Sequence, residues 1–243
     1  MNELFITTGN KGGVGKSFLS AMLADYVLRT EPERLVVSDS EAAGGQSTFW
    51  NIMRNDARIK EGEILHWNLG KEQGFEEMAN AIEQMKDKRI IVDTGASMLS
   101  MLTANTDFMT EIQKTLDCKI TVIFAVGALP DSAVAARQYI KAIHETIDNK
   151  IDSHFVMISP TENTPESFVF NNEDDIQKAI KKLGMKTHFY GVVRQDFFDL
   201  TMKKQKLPSA VLADLSIPFG TRTKYSLWVK GPSDSVIGAI MGG

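Results

Sequence analysis

Cysteine is almost missing from this chain: Cys118 is the single one in 243 residues. That excludes an intrachain disulfide framework and any cysteine-based zinc or iron–sulfur site built within one chain. Long apolar runs are missing as well, since the longest nearly apolar stretch, residues 121–130, is about half of what a bilayer span needs. The opening residues Met-Asn-Glu-Leu-Phe carry neither the basic region nor the apolar run of a signal peptide. These absences lead to the expectation of a soluble protein of a reducing cytosol. No repeat, low-complexity tract or linker divides the chain, so one domain over residues 1–243 is expected. What is present suffices for a sizeable core: 43% of residues are hydrophobic and 24% charged, which excludes wholesale disorder.

The formal net charge of −4 hides an uneven distribution. Between residues 176 and 230, eleven basic side chains stand against three acidic ones, an excess of eight, and the remainder of the chain carries minus twelve. A like-signed segment of this length bears on partners rather than on fold.

Short apolar runs at residues 4–8, 35–39, 64–68, 89–93, 120–126, 154–159 and 187–193 read as strands, several of them apolar on both faces. Amphipathic stretches at 18–29, 75–86, 107–116, 132–147 and 173–182 read as helices, with Asp131 as the N-cap of the fourth. Alternating strands and helices predict an α/β fold, a mostly parallel twisted sheet with helices on both faces. Residues 201–243 stay undetermined, because Pro208, Pro218, Pro232 and several glycines interrupt every periodicity. The mildly apolar 236–241 lacks the lysines and arginines of a membrane-binding end helix, for no basic residue follows Lys230.

The sharpest signal is Lys11-Gly12-Gly13-Val14-Gly15-Lys16-Ser17, directly after the first strand and before the helix from Phe18. Glycines let successive backbone N–H groups turn inward around phosphate oxygens, where side chains would clash. The helix beginning near Lys16 points unpaired N–H groups and its positive dipole end at the same phosphates. Lys16 can reach β- and γ-phosphates, and the Ser17 hydroxyl can ligate Mg²⁺. Two apolar strands end in carboxylates, Leu35-Val36-Val37-Ser38-Asp39 and Arg89-Ile90-Ile91-Val92-Asp93, the second followed by Thr94-Gly95. Acids there lie within reach of Mg²⁺ or its waters if their strands neighbour the loop, and Gly95 lets backbone approach a γ-phosphate.

Asn10 stands where the general P-loop has glycine, five residues before Gly15, and Lys11 is an added lysine. This arrangement resembles the deviant Walker A ATPases of the ParA/MinD group. The resemblance implies a Rossmann-like, three-layer P-loop NTPase in which two protomers face each other across two ATP molecules. Lys11 would then act on the partner's nucleotide and Lys16 on its own, with Gly12, Gly13, Val14, Gly15, Ser17 and Phe18 lining the phosphates. The family's Asp-x-Asp is here Asp39-Ser40-Glu41, so Glu41 would inherit the positioning of the attacking water. Its extra methylene moves the carboxylate by more than an angstrom, which catalysis tolerates poorly. The following Gln46-Ser47-Thr48-Phe49-Trp50 resembles the family's Pro-Gln-x-Ser…Trp stretch without its proline, after a small and flexible 42–45 segment. Adenine would sit near the loops at Ser159-Pro160-Thr161 and Val192-Val193-Arg194. That the nucleotide is ATP is what the resemblance implies.

Relatives of this size imply a slow, partner-stimulated ATPase in plasmid segregation or conjugative transfer, cytoplasmic and nucleoid-associated, binding double-stranded DNA without sequence preference in its ATP state. A cargo-bound or centromere-binding protein would stimulate turnover. Lys178, Lys181, Lys182, Lys203, Lys204 and Lys206 are the candidate phosphate contacts, giving salt-sensitive binding. The alternative is a MinD-like positioning ATPase acting through membrane or protein partners. An iron-protein reductase of this fold needs two cluster cysteines, and the biotin-pathway ligases lack the doubled-glycine loop with its added lysine. His144, His154 and His188 show no ligand spacing.

Overall fold

The computed structural model describes residues 1–9, 13–40, 47–95, 98–145, 151–159, 161 and 164–242. Lys11, Gly12 and Glu41 therefore lie outside the described residues, as do Asn10, Gln46 and Pro160.

Period-two alternation with both phases apolar builds the centre of the molecule. Strands β1 (Asn2–Thr8), β2 (Leu35–Asp39), β3 (Ile64–His66), β4 (Arg89–Asp93), β5 (Cys118–Val126), β6 (Asp152–Ser159) and β7 (Lys186–Val192) form one seven-stranded sheet. All pairings are parallel, in the order β3-β2-β4-β1-β5-β6-β7. From β1 the chain runs outward to one edge, and from β4 it crosses to the other side. The crevice at the C-terminal ends of β4, β1 and β5 is thus where the strand order reverses. The expected parallel α/β architecture is present.

One sheet face presents Leu4, Ile6, Ile90, Val92, Ile120, Val122 and Phe124. Against it pack α3 (Glu72–Gln84), α4 (Leu99–Ala104), α5 (Thr106–Thr115), α6 (Pro130–Glu145), α7 (Val169–Asn172) and α8 (Asp174–Leu183). The other face presents Phe5, Val37, Ile91, Ile123 and Val156 to α1 (Lys16–Thr30) and α2 (Thr48–Arg54). Helix α1 is apolar nearly all round, from Phe18 through Leu28, because C-terminal helices cover its outer side.

Those C-terminal helices are α9 (Gln195–Met202), α10 (Pro208–Ala213), α11 (Phe219–Trp228) and α12 (Asp234–Met241). The prolines start helices rather than break the segment: Pro208 opens α10 and Pro218 is the N-cap of α11. Pro232 sits in a single π-turn, Val229–Ser233, that joins α11 to α12. Aromatic rings fasten the group, with Phe18 stacked on Phe198 at 5.4 Å and Trp228 within 6.0 Å of both Phe18 and Tyr190. Ile237, Ile240 and Met241 are buried in α12, so the apolar side of the final helix is spent on packing.

Two expectations shift. Helix α6 begins at Pro130, which places Asp131 in its first turn rather than at the N-cap, still at the positive end of the helix dipole. Strand β3 stops at His66, two residues early, because the Asn68 side chain accepts the Gly70 N–H in an Asx turn. Helix α3 then starts ahead of Phe75 and crosses closely above that turn. A Cβ on Gly74 would lie 2.1 Å from the Asn68 carbonyl oxygen, so only glycine permits the crossing.

Buried Asp25 on α1 fastens the C-terminal layer: it accepts the Ser209 N–H at 2.9 Å and the Ser209 hydroxyl, and Arg29 Nε at 2.8 Å. Arg29 continues to Asp234 on α12 at 2.6 Å. Asp25→Ala strands those donors and is expected to cost about 3 kcal/mol, read as a lower urea midpoint, while Asp25→Asn keeps acceptors for Ser209 and costs less.

Candidate functional site

Thr7, Asp93 and Asp39 end three adjacent strands, paired in register across β1, β4 and β2. Each lies two residues beyond Phe5, Ile91 or Val37 and so points to the same sheet face, the one covered by α1. Both carboxylates are buried, Asp39 to 2% and Asp93 to 3% residual exposure.

Helix α1 meets them with hydroxyls. Ser17 Oγ donates to Asp93 Oδ2 at 2.7 Å, and Ser20, one turn further on the same helix side, donates to Oδ1 at 2.8 Å. Thr7 Oγ1 lies 3.2 Å from that Oδ1 and is hydrogen-bonded to Ser20. On the next strand the Ser47 hydroxyl donates to Asp39 Oδ2 and accepts the Trp50 N–H at 3.0 Å, capping α2. The Asp93 carboxyl is pushed up to about 6, chiefly by burial and further by the Asp39 charge. Hydrogen bonds from Ser17 and Ser20 and the charge of Lys16 pull it down.

The glycine turn lies over this end of the sheet. Gly13 and Gly15 have φ of 81° and 95°, and Gly15 is the N-cap residue of α1. Among the described residues no side chain caps that helix start, and its first N–H groups face the turn. A Cβ on Gly15 would approach the Ile158 side chain to 3.1 Å, so the turn sits against the end of β6. Lys16 is buried beside Asp93.

This arrangement fits a Mg²⁺–nucleotide. The turn and helix start supply backbone donors without side-chain obstruction, and the acids and Ser17 supply oxygen only, the donor type Mg²⁺ takes. Among the described residues no group of three or more His, Cys, Asp or Glu side chains converges to hold an ion.

Other candidate residues go elsewhere. The Phe18 ring is fully buried among Phe198, Tyr190 and Trp228, so only its main chain can face a phosphate. Val14 is buried beside Gly9. The two adenine-loop candidates meet, since Val193 N–H donates to the Ser159 carbonyl at 3.2 Å. The six candidate DNA lysines are not gathered into one stripe. Lys178, Lys181 and Lys182 lie exposed on α8, whereas Lys203, Lys204 and Lys206 follow α9 across the sheet. Lys203 pairs with Asp199 and Lys206 with Asp214, both at 2.7 Å. His154 and His188 stack toward the N-terminal ends of β6 and β7, with Nδ1 of one 2.9 Å from Nε2 of the other, away from the glycine turn. A cleft of ≈ 480 Å³ between the Asn55–Arg58 loop and α10 is likewise away from the turn.

Sequence reasoning missed Thr7, Ser20 and Ser47. Two of them carried a signal: Ser20 is three residues after Ser17, hence on the same side of α1, and Thr7 is two residues after buried Phe5 in a strand. Ser47 was noted only as part of the 46–50 stretch, with no role of its own.

No protein-family model matches the sequence. Protein MobD of Acidithiobacillus ferrooxidans is 20% identical over 227 residues, covering 93% of this chain and 92% of that protein. Among solved structures, an ATP complex of McdA from Cyanothece is similar with a TM-score of 0.58 at 8% identity, covering 99% of this chain and 96% of that one. A ParA family ATPase from Chlorobium tepidum has a TM-score of 0.52 at 13% identity, covering 94% and 98%. At these identities the likeness is one of fold. The fold is the P-loop NTPase arrangement shared by ParA- and MinD-type ATPases.

The raised Asp93 carboxyl has a measurable consequence. A folded-state value near 6 against about 3.8 unfolded means the stabilising contribution is complete below the lower value and lost as pH rises through the upper one. Asp93→Asn removes that loss. Without nucleotide or Mg²⁺, the variant should match wild type near pH 4 and melt several degrees higher at pH 7–8, at most about 3 kcal/mol of relief. A pH-independent difference in calorimetric Tm would refute the assignment.

Proposed function

We propose that residues 1–243 form one P-loop ATPase domain that acts as an ATP-dependent, dimerising switch. The observation that carries this reading is the Asp93 carboxylate, buried beside Asp39 and bound by Ser17 and Ser20 next to the glycine turn that starts α1. Two adjacent buried carboxylates are costly unless a cation joins them, and the turn beside them is shaped for anions.

In this reading Ser17, Asp39 and Asp93 would hold Mg²⁺. When bound, the ion neutralises phosphate charge as it develops. Lys16 keeps its ammonium beside the phosphates of its own nucleotide. Lys11 reaches the nucleotide of a second protomer, which makes ATP the condition for a homodimer. Glu41 orients the attacking water, and its longer side chain sets a slow rate that a partner protein raises. Ser47 links Asp39 to the start of α2, so occupancy of the site bears on the position of that helix.

The switch acts in plasmid partition or conjugative transfer, with a cargo-bound or centromere-binding protein as its stimulating partner. Its ATP dimer binds double-stranded DNA without sequence preference, as a cytoplasmic, nucleoid-associated protein. With the lysines on two faces, α8 and the segment after α9 are separate contact areas, and dimerisation is what doubles each of them. The membrane-positioning alternative draws no support from the C-terminal helix, whose Ile237, Ile240 and Met241 are buried. Among the described residues no helix is long and apolar enough to cross a membrane.

The test is binding to a nonspecific duplex with ATP, ADP or no nucleotide over a salt series, alongside Lys11→Ala. The expected result is binding only with ATP, falling linearly in log K against log salt and lost in Lys11→Ala. Binding indifferent to nucleotide would reduce the lysines to an ordinary cationic surface, and no binding would refute the DNA role.

A further inference from the structure

The three most exposed large apolar side chains among the described residues are Leu215, Phe219 and Leu227, at 82%, 77% and 70%. Phe219 and Leu227 share one groove at the outer side of the C-terminal layer, whereas Leu215 borders the cleft beside α10. On α11 the 100° step places Phe219, Thr223 and Leu227 along one stripe at i, i+4 and i+8. Tyr225 and Trp228 take the opposite side, stacked on each other and packed on Phe197. Leu212 of α10, with Phe219, Arg222, Thr223, Ser226 and Leu227, lines a groove of ≈ 240 Å³.

Cations border this groove without any acid. Arg222 flanks the stripe on one side and Lys224 on the other, with Lys230 one turn beyond Leu227. No aspartate or glutamate occurs between Asp214 and Asp234. The Arg222 guanidinium is fixed at the groove edge by its Nε bond to the Ile217 carbonyl at 3.0 Å and its Nη1 bond to the Leu212 carbonyl at 3.2 Å. Its charge meets carbonyls there rather than a carboxylate.

We infer that this face is a docking groove for an amphipathic helix of another protein, presenting leucine-type side chains at i, i+4 spacing flanked by aspartate or glutamate. Apolar knobs fill the groove, and the acidic flanks meet Arg222 and Lys224, the helix-in-groove mode with complementary charge. A lipid surface offers no knob for a concave site and would meet few cations. A second copy of this face would bring only further cations and no acid across a two-fold axis, so Arg222 and Lys224 would gain no counter-charge. The inference rests on no property of the nucleotide site.

The experiment is a fluorescence-anisotropy titration of the full chain against three labelled helical peptides: leucines at i, i+4 with glutamate flanks, the same composition scrambled, and lysine in place of glutamate. The glutamate peptide should bind at least about tenfold tighter than either control, and Phe219→Ser or Leu227→Ser should each weaken it about tenfold. Lys224→Glu should weaken it several-fold and flatten its salt dependence. All three side chains are exposed, so circular-dichroism melts should be unchanged. Equal binding of the three peptides, or binding indifferent to these substitutions, overturns the proposal. So does a wild-type dimer that Phe219→Ser dissociates in sedimentation. Binding to phosphatidylglycerol vesicles that needs Phe219, without preference among the peptides, overturns it in favour of a lipid surface.

Discussion

The feature on which the rest of the structure depends is a pair of buried carboxylates at the ends of neighbouring parallel strands. Asp93 is tied to α1 by Ser17 and Ser20 and to β1 through Thr7, while Asp39 is tied to α2 by Ser47. Three strands, two helices and the glycine turn are thereby referenced to one point. The arrangement is tolerated because hydroxyl donors partly replace the lost water, yet the Asp93 carboxyl still moves up to about 6. A fold aiming only at stability would place apolar groups here. The residual cost is in keeping with the proposed role of the position as a site for a cation and an anion.

The parallel sheet gives that point its location. Because β1 and β4 lead to opposite sides, the loops at their C-terminal ends diverge and leave a crevice between them. Helix α1 begins in the crevice, and its apolar girth keeps it central. The sheet covers one side of it, and the aromatic group of Phe18, Tyr190, Phe198 and Trp228 covers the other. The C-terminal helices consequently rest on the same helix whose first turn faces the candidate phosphates. Asp25, Ser209, Arg29 and Asp234 extend that connection to α10 and α12.

Much of this was legible because strand and helix periods leave direct traces in residue order. The strands were recognisable from apolar runs such as Leu35–Asp39 and Arg89–Asp93, which match the observed bounds. The glycine turn and terminal acids were recognisable because their chemistry admits few residue types. The C-terminal third was not, since α10, α11 and α12 are short and take their stability from tertiary contacts rather than from propensity. Pro208 and Pro218 looked like breakers, and only their N-terminal position in each helix shows otherwise. The lysines of residues 178–206 looked like one basic segment. Sequence proximity does not reveal that β7 lies between them and carries the chain across the sheet.

The central claim is that the buried acids and the glycine turn form one Mg²⁺–nucleotide site. Isothermal titration of a non-hydrolysable ATP analogue into the full chain, once with Mg²⁺ and once with EDTA, tests it most directly. The account predicts saturable binding that Mg²⁺ tightens by about tenfold or more. Binding of equal strength with and without Mg²⁺, or no binding in either condition, would contradict it.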